Sequence, residues 1–404
     1  MLNKIKIKDK ILPFNKSIRV SGDKSISIRC VLLASQAIGK SRIYNLLESE
    51  DVINSLRVIK KLGIKYIKKK NFYEINGYGL DGFLVKKNLT IFAGNSGTLA
   101  RLILGLLVNS QNKVKIIGDK SLSSRDFSRV TNPLSEFGAS FSNKNNKLPV
   151  IIQGTNFLRP IKYFEKLGSA QCKSSVMLAA IKTDGKTIIK AKKSRNHTEI
   201  FFKNLNIPIK IKEKSNYDHI EIYGKSNFSG FSYDVPGDIS SSAFFLVLTL
   251  LTKNSQLTIK KVNINKTRIG IIKILNKMNA NILFKNKMKY KGELVSDIIV
   301  KSKSNLKGIR CSKNINSSAI DEFLLIFLAA AKAKGISTFK DLGELNKKES
   351  PRLDIAVQFL KSIGVKIKRN DNDIKIYGNP KLDLKGKHVM KNFKKDHRIF
   401  MMTC

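Results

Sequence analysis

The feature that most constrains this chain is a period. Apolar helices opening on a hydroxyl residue recur at Ser27, Thr98, Ser169, Ser240 and Ser318, at separations of 71, 71, 71 and 78 residues. The runs at 27–38, 98–108, 169–181, 240–251 and 318–333 are apolar nearly all round, which predicts buried helices. A strand follows each, at 41–45, 113–117, 187–190, 256–262 and 337–339. Between them lie more amphipathic helices, at 51–62, 130–137, 269–278 and 353–363. Each repeat therefore holds two helices and about four strands. A sixth opening is due near 390–400, where Asp396-His397-Arg398 stands, and the chain ends at Cys404. The last repeat is thus expected to be cut short by about a helix and one or two strands.

With 404 residues the chain suits two domains, each able to bury its own core. Three repeats per domain place the boundary at Val235-Pro236-Gly237. An opening strand at 4–12 and the Ser21-Gly22 loop form the second crossing. The expected domains are 22–236 (upper) and 1–21 plus 237–404 (lower, with an incomplete final repeat). The apolar runs at 244–251 and 323–331 are too short to span a bilayer, which takes about 20 residues, and the start lacks the apolar stretch of a secretory signal. A cytoplasmic protein is expected.

Cys30, Cys172, Cys311 and Cys404 form no Cys-x-x-Cys pair, and His197, His219, His388 and His397 are as dispersed, so neither structural zinc nor a disulfide framework is expected. The net charge is +46, which raises the question of nucleic acid. The lysines, however, are spread along the whole chain, Trp is absent and aromatic residues are only 8%, so the stacking platforms of single-strand binders are missing. A solvated lysine-rich surface is the simpler reading. Lys far outnumbers Arg, yet Arg29, Arg101, Arg125, Arg129, Arg268, Arg352 and Arg398 all sit in or beside small-residue loops. There the flat guanidinium fork suits carboxylate and phosphate, implying a small anionic substrate.

The loops repeat a design. Gly22-Asp23-Lys24-Ser25, Gly118-Asp119-Lys120-Ser121 and Gly237-Asp238-Ile239-Ser240 each offer a tight turn and a capping Asp before a helix or turn, and helix N-termini bind anions. Neither these loops nor Gly94-Asn95-Ser96-Gly97-Thr98 has the spacing of a P-loop or a dinucleotide fingerprint, so ATP and NAD are unsupported. Taken singly, each is a plain turn and cap.

Taken in order, the motifs are specific. Ser21 to Arg29, Gly94 to Arg101, Gly118 to Arg125, Ser169 to Lys173, Ser194 to Glu199, Val235 to Ser241, Asn265 to Arg268, Ile320 to Phe323, Lys348 to Arg352 and Asp396 to Arg398 resemble, over essentially the whole chain, the EPSP synthase (3-phosphoshikimate 1-carboxyvinyltransferase) family. The resemblance implies an α/β (α+β) fold of two similar domains, each an inside-out barrel of three βαβαββ units. It also implies an active site in the cleft between them. The implied activity transfers the enolpyruvyl group of phosphoenolpyruvate to the 5-hydroxyl of shikimate 3-phosphate and releases phosphate, in the pathway to chorismate and the aromatic amino acids. It needs no metal or organic cofactor, and a monomer is expected.

By the same resemblance Glu349 is the acid at C3 of phosphoenolpyruvate, Asp321 the base on the attacking hydroxyl, and Lys24 touches phosphate and proton relay. Asn95, Gly97, Arg101, Arg125, Gln171, Arg352 and Arg398 join Lys24 around phosphoenolpyruvate. Ser25, Arg29, Ser169, Ala170, Gln171, Ser194 and Lys348 join Lys24 and Asp321 around shikimate 3-phosphate. On the residues alone, Ser169 and Gln171 are equally helix-start residues and Glu349 a helix-entry charge. Gly97 leaves room as in glyphosate-sensitive members. Ile28, Asp126, Asn196 and Pro351 depart from the family pattern, and Pro351 stiffens the approach to Arg352. The alternatives are the related transferase acting on UDP-N-acetylglucosamine, whose reactive Cys is missing from the 121–125 loop, and a basic RNA-binding or scaffold protein.

Overall fold

The structure, a computed structural model, describes residues 9–302, 305–383 and 396–403. The chain divides into two compact units. Unit 1 is Met1–Val20, Gly237–Met288 and Leu294–Cys404; unit 2 is Ser21–Pro236 with Lys289–Glu293. Part of the strand expected at 4–12 lies outside the described residues; from residue 9 onward the first strand is Asn15–Ile18.

Unit 2 contains three four-stranded sheets built to one plan. In Leu89–Phe92, Val114–Ile117, Val150–Gln153, Ser140–Asn143 the first two strands are parallel and the remaining pairings antiparallel. Lys162–Glu165, Lys186–Lys192, Tyr217–Tyr223, Ile209–Glu213 repeat that order. In the third sheet, Ile38–Tyr44, Phe72–Tyr78 and Lys65–Lys68 receive their parallel first strand from far along the chain, Ser232–Asp234.

Each sheet has a buried helix, and each helix is started by a side-chain cap three residues before the bonded N–H. Asp23, Ser96 and Ser169 accept from the N–H of Ile26, Leu99 and Cys172. The caps sit at an even interval (96 − 23 and 169 − 96 are both 73), so the period is a period of caps. The first helix is Lys24–Ala34, earlier than the expected 27–38, because Asp23 caps it; Ile38 instead opens a strand. Gly97–Leu106 packs against both Lys24–Ala34 and Ala170–Ala180.

Close approach fixes several glycines. Gly77, Gly154, Gly224 and Gly378 lie at or within a residue of the ends of the closing strands of four repeats, where a Cβ would fall on carbonyl oxygens at or just past the end of that repeat's buried helix. On the Gly97–Leu106 helix, a Cβ on Gly105 would fall on the Ser175 carbonyl oxygen of Ala170–Ala180. Ser175 Oγ donates to Arg101 O at 2.7 Å, tying the same two helices.

Unit 1 repeats the plan in Asn15–Ile18, Gln256–Asn263, Glu293–Lys301, Asn281–Tyr290, again with the first two strands parallel. Its second sheet, Gly335–Phe339, Asp373–Gly378, Lys366–Asn370, has among the described residues isolated parallel bridges, Lys307 to Lys334 and Arg310 to Thr338, along its first edge. Ile239–Leu251, Phe323–Ala331 and the short His397–Thr403 are its central helices, with Phe323, Phe327 and Phe339 in ring contact.

A second expected element is corrected. The run at 318–333 is not a single helix: Lys313–Ile315 and Asn316–Ala319 precede a turn at 320–322, and Phe323–Ala331 leaves it bent by 116°. Two adjacent carboxyls, Asp321 and Glu322, occupy the turn and reach different partners, which an unbroken apolar helix would not allow. Among the described residues no single helix is long and apolar enough to cross a membrane.

The helix contact at Gly105 gives a test. Gly105→Ala should lower the unfolding free energy by about 1–3 kcal/mol through overpacking, measured by urea denaturation; an unchanged midpoint would contradict the close approach.

Candidate active site

In unit 2 the candidate residues gather at the N-terminal ends of the buried helices, where unbonded N–H groups and the helix dipole favour anions. Lys24 opens its helix, and its Nζ lies 2.9 Å from Asp51 Oδ2 with both side chains partly exposed. Arg125 Nη2 donates to Asn95 Oδ1 at 2.6 Å, and Asn95 Nδ2 donates to Asp119 Oδ2 at 2.8 Å. Arg101 Nη1 donates to Gln171 Oε1 at 2.7 Å, and Gln171 Nε2 to Thr98 Oγ1 at 2.9 Å. Burial lowers the Arg101 pKa, and its guanidinium lies over the Phe127 ring at 5.1 Å.

Gly97 joins the two arginines. A Cβ there would stand 2.8 Å from Arg101 Nη1 and 3.0 Å from Arg125 Nη1. Asn95, Gly97, Arg101, Arg125 and Gln171 therefore form one patch, with two fixed guanidiniums meeting over a residue without a side chain.

The residues expected around shikimate 3-phosphate are more varied. Ser169 Oγ caps its helix, accepting from Cys172 N at 3.3 Å, and Ala170 is that helix's first residue. Ser25 is half-buried; its carbonyl accepts from Arg29 Nη1 at 3.0 Å. Arg29 turns inward: it is 4% exposed, donates from Nε to Thr198 Oγ1 at 2.8 Å and from Nη2 to Ser174 Oγ at 2.9 Å. Burial pushes its pKa down to about 10, which leaves it charged at neutral pH. Ser194 Oγ is buried without a hydrogen-bond partner among the described residues.

Beneath this patch lie groups given no role from sequence. Lys173 and Glu199 form a buried pair at 2.5 Å, and His197 Nδ1 meets Glu293 Oε1 at 2.6 Å. Lys173, His197 and Glu199 stand in the motifs quoted above. Glu293, almost a hundred residues from His197, had no local signal.

In unit 1 the candidate residues converge on Arg352, 1% exposed. Its Nε donates to Asp396 Oδ2 at 2.8 Å, Nη1 to Asp321 Oδ1 at 3.2 Å and Nη2 to Glu349 Oε2 at 2.5 Å. Burial works to lower the Arg352 pKa, but Glu349, Asp321 and Asp396 outweigh it and hold the guanidinium more basic than usual. Arg398 Nη1 donates to the Asp321 carbonyl at 3.1 Å, and its Nη2 lies 4.0 Å from Asp321 Oδ2. Asp396 also accepts from Ser350 Oγ at 2.9 Å and from Arg398 N at 3.0 Å. Lys348 is half-buried beside Glu349 in the chain. Asp396 was visible as part of a motif, but its place beneath Arg352 was not.

Two chemistries result. Unit 2 offers a cradle of oriented cations and amides for anions. Unit 1 offers two partly accessible carboxylates on adjacent guanidinium nitrogens, suited to moving protons beside a bound anion. Among the described residues no group of three His, Cys, Asp or Glu side chains could hold a metal ion.

The family model described as EPSP synthase (3-phosphoshikimate 1-carboxyvinyltransferase) matches residues 8–404. The chain is 39% identical to the 3-phosphoshikimate 1-carboxyvinyltransferase of Ruthia magnifica subsp. Calyptogena magnifica, over 95% of this chain and 86% of the relative. It is 39% identical to the protein of that name from Petrotoga mobilis, over 96% and 89%. Among solved structures, EPSP synthase from Acinetobacter baumannii superposes with a TM-score of 0.85 at 32% identity, covering 97% of this chain and 90% of that one. The enolpyruvyl transferase NikO from Streptomyces tendae shares the fold at a TM-score of 0.69 and 12% identity, over 91% and 83%. With ten ordered motifs, two units of one strand plan and a match to nearly the whole chain, this protein belongs to the EPSP synthase family.

Proposed function

We propose that this enzyme joins phosphoenolpyruvate and shikimate 3-phosphate by addition and elimination, with the unit 2 cations binding and the unit 1 carboxylates moving protons. The observation that carries it is Arg352, whose two terminal nitrogens hold Asp321 and Glu349 while Asp396 holds Nε. One guanidinium thus sets base and acid side by side.

Glu349 gives a proton to C3 of phosphoenolpyruvate as C2 becomes electrophilic. The 5-hydroxyl oxygen of shikimate 3-phosphate bonds to C2, and its proton passes to Asp321. In the second half a C3 proton returns to Glu349, the C2–O bond to phosphate breaks, and the proton held by Asp321 leaves with phosphate by way of Lys24. A substrate carboxylate or phosphate reaching Arg352 competes with Glu349 for the guanidinium, freeing that carboxylate to take up the proton it delivers. Lys24, Asn95, Gly97, Arg101, Arg125, Gln171, Arg352 and Arg398 hold phosphoenolpyruvate. Ser25, Ser169, the Ala170 backbone, Gln171, Ser194 and Lys348 read shikimate 3-phosphate over Arg29. No step calls for a metal or organic cofactor, and on this proposal the enzyme is a cytoplasmic monomer.

Phosphate release should require both substrates and yield one enol ether per phosphate. Asp321→Asn and Glu349→Gln should each lower kcat by about 10²–10⁴-fold, the range for a lost general acid or base; full activity in either variant would remove that residue from its role. Glyphosate should compete with phosphoenolpyruvate, and Gly97→Ala, which pushes on Arg101 and Arg125, should raise the phosphoenolpyruvate KM about tenfold, one charge-assisted contact's worth. A KM unmoved by the added methyl would show that these guanidiniums do not hold it.

A further inference from the structure

Next to Asp321 in the 320–322 turn stands a carboxyl the mechanism does not use. Glu322 is 1% exposed and reaches the start of Ile239–Leu251, where its Oε1 accepts from Ser240 Oγ. The same Ser240 oxygen accepts from Arg268 Nη2 at 2.8 Å, and Arg268 Nη2 lies 3.5 Å from Asp238 Oδ1. Asp238 Oδ1 in turn accepts from Ser240 N at 2.6 Å as the cap of that helix. The second oxygen of Glu322, Oε2, is buried with no hydrogen-bond partner among the described residues.

This is poor solvation for an anion. A carboxylate accepts at up to four lone-pair positions, and a bare, buried, ionised oxygen is among the costliest polar defects. Arg268 is shared with Asp238, while Arg352 and Arg398 face Asp321. Protonated on Oε1, Glu322 reverses that bond, donating to the Ser240 hydroxyl, which can accept as well as donate, and leaves only a neutral carbonyl oxygen bare. Burial and then the Asp321 charge both raise its proton affinity, against the weaker opposing pull of Arg268, Arg398 and the Ser240 contact. Adjacent carboxyls in a desolvated site settle on one proton between them, and here the environment assigns it to Glu322.

We propose that Glu322 is a positioning residue, a neutral carboxylic acid that anchors the 320–322 turn to Ser240 and leaves the negative charge of the pair on Asp321. This rests on Asp321 being the base. Ionised, Glu322 would compete with Asp321 for Arg398; neutral, it fixes the turn and leaves Asp321 to accept the hydroxyl proton.

The test uses the full-length enzyme. At neutral pH the wild type should show the infrared carbonyl band of a protonated carboxylic acid, and Glu322→Gln should lose it. Gln keeps shape, neutrality and a hydrogen-bonding group, so its kcat should stay within about threefold, while Glu322→Ala, losing the anchor, should drop kcat about tenfold or more with little change in the phosphoenolpyruvate KM. The raised folded pKa means that ionisation opposes folding, so this group's contribution to stability falls as pH rises through it. The thermal midpoint of Glu322→Gln should therefore gain on wild type as pH rises above the ordinary carboxylate range. No infrared difference, or Gln as damaged as Ala, would overturn the proposal. Failure of the base assignment shows separately, as an active Asp321→Asn alongside an intact infrared band.

Discussion

A buried guanidinium held by three carboxylates organises the candidate site of unit 1. Arg352 is taken almost wholly out of water, at a cost that only close, well-oriented partners offset. Asp396, itself fully buried, meets it at Nε and is fixed by Ser350 and the Arg398 backbone, which makes it the structural member of the three. Asp321 and Glu349 meet the outer nitrogens and keep 14% and 28% side-chain exposure, so they can reach a ligand. Local burial divides chemically similar acids into one that is sealed in and two that keep a face to solvent, the two to which the proposed mechanism gives the proton transfers.

The candidate residues of unit 2 use a different device. Repeats with caps 73 residues apart bring three helix N-termini together in unit 2, each supplying backbone N–H groups, and Arg101 and Arg125 add fixed charge above them. Amides hold both arginines in orientation: Gln171 fixes Arg101 and Asn95 fixes Arg125. Gly97 leaves the space between the guanidiniums empty. Preorganised cations that need not reorient on binding make better anion sites than mobile lysines.

Much of this was legible in the sequence. The repeat, the buried helices and the small-residue loops with arginine follow from local patterns, and caps mark the helix starts to within a few residues. Two elements depart from the apolar pattern for one reason: polar residues override apolar periodicity where they find partners. The Lys24–Ala34 helix starts earlier than its apolar run because Asp23 caps it, and the 318–333 run breaks where Asp321 and Glu322 find partners on other elements. Pairings across long sequence distances, His197 with Glu293, Lys173 with Glu199 and Glu322 with Ser240, leave no local trace, since each depends on which helix ends the fold brings together. The inward turn of Arg29 onto Thr198 and Ser174 belongs to the same class: residue type predicts a cation, not the side chains it spends its hydrogen bonds on.

The central claim is that orientation of Arg352, and not merely its charge, makes unit 1 competent. Asp396→Asn isolates that claim, because it keeps the shape beneath the guanidinium while removing the charge that fixes Nε. Steady-state kinetics of this variant should show the phosphoenolpyruvate KM raised and kcat lowered, each by about tenfold, with the shikimate 3-phosphate KM little changed. A folded variant with wild-type values of all three constants would contradict the account.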